Sequence, residues 1–298
     1  MTDYTSPENL DVLIIGAGIS GIDAGYHLKR NRPQDSFAIL EAQTEIDGTW
    51  HTHRFPGIRS DSDLYTFGFK WKPWLGVPIA TAAEIMSYLT EAVQEQQLEP
   101  YIRFNQLVRR AVWSSETKRW TVKISCGESE RTIVCKFLWM CAGYYRHAQG
   151  YMPDYPEKEA FQGPVVHPQN WPDDLEYQGK SIVVIGSGAT AATLIPAVAK
   201  KASHVTMLQR SPTYFYPRPQ SDEFTDTLRA LDLPDEQFHD IMRRRNLHES
   251  EKMRERSVAE PEALAAELIA GARSYLGEDY DIETHFTPMY RQLELLLA

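Results

Sequence analysis

Asp11-Val-Leu-Ile-Ile15 runs without a break into Gly16-Ala-Gly-Ile-Ser-Gly21, and Ser181-Ile-Val-Val-Ile185 runs in the same way into Gly186-Ser-Gly-Ala-Thr-Ala191. The first apolar, β-branched run reads as a buried parallel strand. A helical pattern follows each loop, from Ile19 to Arg30 in the first case and to about Lys201 in the second. Asn31-Arg-Pro33 stops the first helix. A second apolar run then closes each unit, Phe37–Leu40 and His204–Leu208. In this order of elements the glycines let the backbone approach a pyrophosphate, and the helix N-terminus faces its charge. The chain is therefore expected to be α/β, with two Rossmann-like dinucleotide-binding domains and a helical segment.

The residues that follow the second strand of each unit differ. Glu41 follows the first and can accept hydrogen bonds from ribose hydroxyls. Gln209 takes that place in the second unit, and Arg210 follows it. A carboxylate there would repel a 2′-phosphate, whereas a guanidinium pairs with one in a fork geometry. The second loop thus reads as a site for NADP(H) rather than NAD(H); the plainer reading of Arg210 is a solvated charge at a strand end.

FAD is the expected occupant of the first loop because of what comes next. Gly48-Thr-Trp50 and Arg54-Phe-Pro-Gly-Ile-Arg-Ser-Asp61 mix aromatic, turn-forming and charged residues too densely for a plain helix or strand. Long loops of this kind are usually functional. Trp50 could cover a flavin ring, with Arg59 and Asp61 supplying charge near its reactive edge. Asp47 and Gly48 read as turn residues, and His51 and His53 as solvated loop histidines. These two lack further ligands nearby, so no metal is assigned.

Composition narrows the class. The 298 residues suffice for two domains, and the formal charge of −10 argues against a nucleic-acid surface. No apolar run is long enough for a transmembrane helix. The start, MTDYTSPENLD, reads as a polar lead-in to a strand rather than a signal peptide. The three cysteines, Cys126, Cys135 and Cys141, form no CxxC pair and suit a reducing cytoplasm. Cys141 reads as a small buried side chain in an apolar strand.

Thr81 to Gln97 has helical spacing, with Ile85, Met86, Leu89 and Val93 on one face as core. Ile102–Phe104 and Val108–Trp113 read as short strands, and Trp120–Ser125 with Thr132–Cys135 as a hairpin. Phe137–Gly143 reads as a further buried strand. Tyr144 to Asp174, rich in Pro, Gly and aromatics, reads as a linker in which His167 could be an ordinary loop histidine. The expected division is an FAD-binding domain over 1–147, a linker over 148–178 and an NADP-binding domain over 179–298. From Ser221 to Glu283 the pattern is charged and helical, with breaks near Pro234, Pro261 and Gly277. Arg243-Arg-Arg245 reads as part of a solvated face, though helices here could also wall a substrate channel.

Phe161-Gln-Gly163, His167 and Trp171-Pro172 match the FxGxxxHxxxW(P/D) signature, and two glycine loops flank them. Together these residues resemble the Baeyer–Villiger monooxygenases, class B flavoproteins using FAD, NADPH and O2. GAGISG, GTW, RFPGIRSDSDLYTFGF, GPVVHPQNWP, VVIGSGATA and HVTMLQRSPTY look most like the ethionamide-activating group within them. The resemblance runs from about Leu10 to Tyr290. It implies that FAD contacts fall on Ser20, Glu41, Thr49, Trp50, His51, Thr52, Asp61 and Val108, beside Gly16, Gly18 and Gly21. It puts NADP contacts on Arg59, Ser60, Asp61, Gly186, Ser187, Gly188, Ala189, Thr190, Ala191, Ala192, Gln209 and Arg210. The implied reaction consumes NADPH and O2 and inserts one oxygen into a ketone, giving an ester or lactone, or oxidises a soft sulfur. In this family Asp61 would orient an arginine that stabilises the oxygen-transferring anion. His167 and Trp171 would serve movement of the NADP domain. An N- or S-oxygenating flavin monooxygenase and an inactive fragment are the competing readings.

The resemblance stops at the C-terminus. His285 to Tyr290 matches the family's His-Phe-x-Pro-x-Tyr segment, but Arg291-Gln-Leu-Glu-Leu-Leu-Leu-Ala298 follows where a Trp-Asp-Gln-Arg stretch is expected. The fold is thus expected to be truncated before its closing strands. Buried strands without their neighbours expose apolar surface, so a marginal or aggregation-prone protein is expected.

Overall fold

The computed structural model describes residues 7–46, 48–215 and 219–290. The expectations for the lead-in before Pro7, for Asp47 and for Arg291 onward lie outside them. In chain order the elements are β1 (Glu8–Ile15), α1 (Ile19–Asn31), β2 (Phe37–Leu40), α2 (Thr49–Thr52), α3 (Leu64–Phe67) and α4 (Ala82–Glu95). Then come β3 (Ile102–Arg103), β4 (Leu107–Ser114), β5 (Arg119–Cys126) and β6 (Ser129–Met140). The rest is β7 (Ser181–Ile185), α5 (Ala189–Val198), β8 (His204–Leu208), α6 (Glu223–Ala230), α7 (Asp235–Ala259), α8 (Pro261–Leu276) and α9 (Ile282–Phe286).

These form two compact units. The first takes the described residues up to Phe55 together with Ala82–Asp173; the second takes Pro56–Thr81 and the described residues from Asp174 onward. This departs from a simple cut along the chain. Pro56–Thr81 belongs with the second unit because it packs on α5 and α7. The expected linker, 148–178, belongs through Asp173 to the first unit.

The first unit is a six-stranded sheet in the order β3-β2-β1-β6-β5-β4. β3, β2, β1 and β6 run parallel, while β4 and β5 complete an antiparallel meander. Leu13, Ile15, Ala38, Leu40, Val122, Ile124, Ile133 and Cys135 form its core cluster. In α4, Ile85, Leu89 and Val93 are buried and Met86 half-buried, so the apolar stripe is core.

The two segments 132–135 and 137–143 of the sequence reading are one strand as far as Met140. β6 pairs with β1 over its second two-thirds, from Glu8 opposite Ile133 to Ile15 opposite Met140. β5 pairs with it only as far as Cys135. Beyond that point no described strand flanks its other edge, and Phe137 and Met140 are 57% and 61% exposed. The expected burial of this stretch therefore does not hold: a strand is buried only where neighbours and covering elements flank it. Cys141 lies just past the strand and is partly exposed; burial still pushes its thiol up to about 11.

In the second unit β7 and β8 pair in parallel, Ser181 opposite His204 through Ile185 opposite Leu208. Val183, Ile185 and Leu208 are more than half exposed. Pro234 precedes α7, Pro261 opens α8 and Gly277 ends it with φ +89°, so the expected breaks fall where they were read. Gly48-Thr-Trp50 opens into one helical turn, α2, of four residues, whereas 54–61 holds no helix; a second single turn, α3, follows it. Arg243-Arg-Arg245 is not one solvated face. Only Arg244 is strongly exposed, its side chain at 78%, while Arg243 and Arg245 are engaged with the protein.

Candidate functional site

Gly16 has φ +102°, and a Cβ added there would lie 2.4 Å from the Cys141 carbonyl oxygen. One added at Gly21 would lie 1.8 Å from the Gly16 oxygen. These two glycines are demanded by the protein's own backbone. At Gly18 a Cβ would meet nothing nearer than the Gly48 Cα at 3.9 Å, so its missing side chain leaves an open cradle. Glu41 is buried. Its Oε2 accepts the Ala17 N–H at 2.8 Å and its Oε1 the Gln43 N–H at 2.9 Å. A carboxylate has about four lone-pair sites, so acceptor capacity remains for ribose hydroxyls. Ser20 is exposed on the first turn of α1.

Gly48, at φ +50°, sets its backbone against Gly18 and opens α2. Thr49, Trp50, His51 and Thr52 are thereby brought beside the glycine loop, all half-buried. Gln43 Nε2 donates to Thr52 Oγ1 at 3.0 Å, and that hydroxyl lies 3.1 Å from His147 Nδ1. His51 sits 3.4 Å from Glu45. Val108 is not brought to the loop by the strand order: it lies on β4, three strands from β1, against the core cluster.

His53 is not a solvated loop histidine. It is buried, its Nδ1 lies 2.9 Å from the Thr49 carbonyl, and its ring meets Tyr145 at 5.0 Å. Burial pushes its imidazole below the ordinary value, and the charges of His147 and His167 push the same way. His167 is also in this unit. Its Nδ1 accepts the Gln169 N–H at 3.2 Å. Gly150 gives its ring room: a Cβ there would come within 2.2 Å of it. Gln169 Nε2 donates to the Arg146 carbonyl at 2.6 Å. The His167 turn is therefore fastened to 146–150, which is joined through His147 to Thr52. Trp171 follows that turn, half-buried.

The second loop repeats the first with less around it. Gly186 has φ +124°, and Cβ atoms at Gly186 or Gly188 would meet nothing within 4 Å. Gly186 N–H donates to Leu208 O at 2.8 Å, as Gly16 N–H does to Leu40 O at 2.7 Å. Ala191, in the place of Gly21, is buried; Ser187 and Ala192 are half-buried, and Ala189 and Thr190 exposed. Gln209 Nε2 donates to the His285 carbonyl at 2.6 Å. Its Oε1 is buried with no partner among the described residues. This orphaned acceptor stands where Glu41 stands in the first unit. With exposed Arg210 beside it, the set fits a phosphorylated nicotinamide dinucleotide: an acceptor for a ribose hydroxyl and a cation for a phosphate.

Arg59, Ser60 and Asp61 belong to this second unit. Gly57, two residues before Arg59, lies on α5. Arg59 bridges Thr81, and Ser60 N–H donates to Ala80 O at 2.8 Å while Ser60 Oγ accepts the Ala80 N–H at 3.2 Å. Ser60 is buried, and Arg59 and Asp61 on either side are exposed. Arg243 and Asn246 of α7 bond to the turn that follows, at Tyr65, Thr66 and Gly68 and at Asp63; the sequence offers Arg243 only as part of a solvated face and does not single out Asn246. Their spacing of three within a charged helix looks like any solvated pair. Among the described residues no helix is long and apolar enough to cross a membrane.

Residues 79–229 match the flavin-binding monooxygenase-like family, and residues 14–73 match the NAD(P)-binding Rossmann-like domain. The chain is 42% identical over 285 residues to the FAD-containing monooxygenase EthA of Mycobacterium tuberculosis, spanning 95% of this chain and 58% of that protein. The solved complex of OTEMO with FAD and NADP is 28% identical, with a TM-score of 0.62 over 76% of this chain and 44% of that one. The cyclohexanone monooxygenase of Rhodococcus sp. Phi1, solved with NADP+, superposes at 0.71 over 96% of this chain and 60% of that chain. At 22% identity the last is a likeness of fold.

Proposed function

Since the chain belongs to the flavin-binding monooxygenase family, we propose that it holds FAD at the Gly16–Gly21 loop and NADPH at the Gly186–Ala191 loop, as the nucleotide-binding part of an oxygenase. The observation that carries this reading is the pair of acceptors at corresponding strand ends. Glu41 is a buried carboxylate tied to its own glycine loop, and Gln209 offers a buried, unpartnered amide oxygen with Arg210 beside it. When bound, FAD reduced by NADPH supplies the chemistry that activates O2. The chain's own residues bind and orient. Gly18 and Gly188 admit pyrophosphates, Glu41 and Gln209 accept from ribose hydroxyls, and Arg210 pairs with the 2′-phosphate. Arg59 and Asp61 present charge to the reacting groups, and His167 and Trp171 serve the motion that lets the nicotinamide reach the flavin.

The substrate class is a ketone, converted to an ester or lactone, or a soft sulfur. The Phe161, Gly163, His167, Trp171 pattern favours the Baeyer–Villiger reaction over N- or S-oxygenation. The unpaired thiols of Cys126, Cys135 and Cys141 suit a reducing cytoplasm. A second reading, nucleotide binding without turnover, is favoured by the exposed apolar residues of β6, β7 and β8. One preparation decides between them: the purified chain is loaded with FAD, its spectrum recorded, and NADPH oxidation followed with and without cyclohexanone or thioanisole. Ketone-stimulated oxidation with ester formation supports the Baeyer–Villiger reading. Bound flavin without stimulated oxidation supports the second, and failure to bind either nucleotide overturns both.

A further inference from the structure

We propose that α7 is a clamp that sets the position of the Arg59–Asp61 loop, with Arg243 and Asn246 as its positioning residues. The inference rests on the NADPH reading above, and its physical basis is the way α3 is held. A four-residue helix cannot sustain itself, because one hydrogen-bonded turn does not offset the ordering it requires. Its end carbonyls also lack partners within the helix. The start of α3 is capped by Asp63, which α7 braces, and its end is completed from α7. At the start, Asp63 Oδ1 accepts the Thr66 N–H at 3.0 Å and Asn246 Nδ2 at 2.9 Å, while Oδ2 accepts Thr66 Oγ1 at 2.8 Å. At the far end, Arg243 Nη1 donates to the carbonyls of Tyr65 at 2.8 Å, Thr66 at 2.7 Å and Gly68 at 3.2 Å. A cation at a helix C-terminus is also favoured by the helix dipole.

The clamp extends further along the loop. Trp74 N–H donates to His239 Nδ1 at 3.0 Å. His239, Arg243 and Asn246 stand four and three residues apart, hence on one face of α7. From α6, Arg229 Nη2 donates to the Leu75 and Gly76 carbonyls at 3.0 and 3.2 Å, with its guanidinium over Phe238 at 5.0 Å. Asp63 and Asn246 are 6% and 2% exposed, so water does not compete for the bond between them. Asp61 lies two residues before this fixed carboxylate, and the Ser60–Ala80 pairing holds its other side. Arg59 and Asp61 therefore face outward from a stretch whose conformation is dictated from α7. The charged helical segment has a task in this scheme: it orients the loop that meets the nicotinamide nucleotide.

The test compares Arg243→Met, Arg243→Lys and Asn246→Leu with the unaltered full chain. A core variant in α8, Leu264→Val, serves as a control for general destabilisation, since Leu264 is fully buried. Two readouts are taken: hydrogen exchange of the Thr66, Phe67 and Gly68 amides, and the NADP+ Kd by calorimetry. Arg243→Met is expected to speed exchange at these amides at least about tenfold and to raise the Kd about tenfold, as loss of positioning does. Arg243→Lys should recover part of both, because an ammonium reaches fewer carbonyls. Asn246→Leu, which leaves the Asp63 cap of Thr66 in place, gives a smaller shift in the same direction and covers the case in which Arg243→Met does not fold. The proposal is overturned if the clamp variants change the Kd no more than Leu264→Val does, or leave the three amides protected. If the unaltered chain binds no NADP+, the functional reading fails and the positioning role with it. Normal binding by wild type and variants alike removes the positioning role only.

Discussion

Gly57 lies against Ala197: a Cβ built on Gly57 would sit 2.7 Å from the Ala197 Cβ and 3.1 Å from the Thr193 carbonyl oxygen. The loop carrying Arg59 and Asp61 is thereby seated on α5, the helix that opens at the second glycine loop. Gly57 also has φ +78°, which costs a residue with a side chain about 1–2 kcal/mol. Overpacking against α5 adds roughly 1–3 kcal/mol. Gly57→Ala is expected to lower the midpoint of chemical denaturation of the second unit accordingly and to weaken NADP+ binding. An unchanged midpoint would show that the loop does not rest on α5.

The two glycine loops should respond differently to alanine. At Gly21 the new Cβ would overlap the Gly16 carbonyl at 1.8 Å, so Gly21→Ala should disrupt the first loop and abolish FAD retention. At Gly188 the backbone is extended, with φ −77°, and no atom lies within 4 Å of the Cβ position. The cost to the fold there is at most about 1 kcal/mol, the preference of a helix N-cap for Gly over Ala. Gly188→Ala should therefore leave the melting profile nearly intact while NADP+ binding falls at least about tenfold, since the methyl group occupies the pyrophosphate's place. A variant that binds NADP+ normally would place the pyrophosphate elsewhere.

Arg210 is exposed and follows Gln209, whose amide oxygen is buried without a partner among the described residues. A hydrogen bond to a charged group contributes about 1.5–3 kcal/mol. Arg210→Ala is expected to raise the Kd for NADP+ by about one to two orders of magnitude, and that for NAD+ little. Equal losses for both nucleotides, measured by calorimetry, would remove the 2′-phosphate assignment.

Two buried histidines give the chain an acid-sensitive range. Burial is the main cause that lowers both His53 and His239 from the ordinary value of 6.5. Each folded-state pKa lies below its unfolded value, so the unfolded chain takes up protons first as the pH falls. Their contribution to stability is complete above about 6.5 and is lost as the pH drops towards their depressed folded values. Denaturation midpoints measured between pH 7.5 and 5.5 should fall on the acid side, and His53→Phe should flatten the fall. A wild-type midpoint that rises on acidification would contradict this.

The sequence carried most of the local architecture. β2, β7 and β8 begin and end where their apolar runs do, and α1 starts at the residue after Gly18. The glycine loops were legible because their requirements are local: Gly16 and Gly186 take left-handed φ values, and their strands lead straight into them. Glu41 and Gln209 were legible by their places after the second strands. The pairing of β6 was not, because 132–135 reads as a hairpin arm and 137–143 as a separate apolar run. Only the register with β1 makes it one strand.

Tertiary structure alone decided which segments share a unit and which charges do structural service. Arg243 meets the Thr66 carbonyl across 177 residues of sequence, and Asn246 meets Asp63 across 183. No periodicity links such positions. A charged helix looks the same whether its arginines face water or cap another helix, since the helical pattern records only which side is polar. The burial of His53 has the same origin: its partners Thr49, Phe55 and Tyr145 surround it only once the loop has closed. Local stretches wrote the nucleotide loops, and the meeting of distant ones wrote the surroundings that hold them, because hydrogen bonds and burial depend on proximity in space and not along the chain.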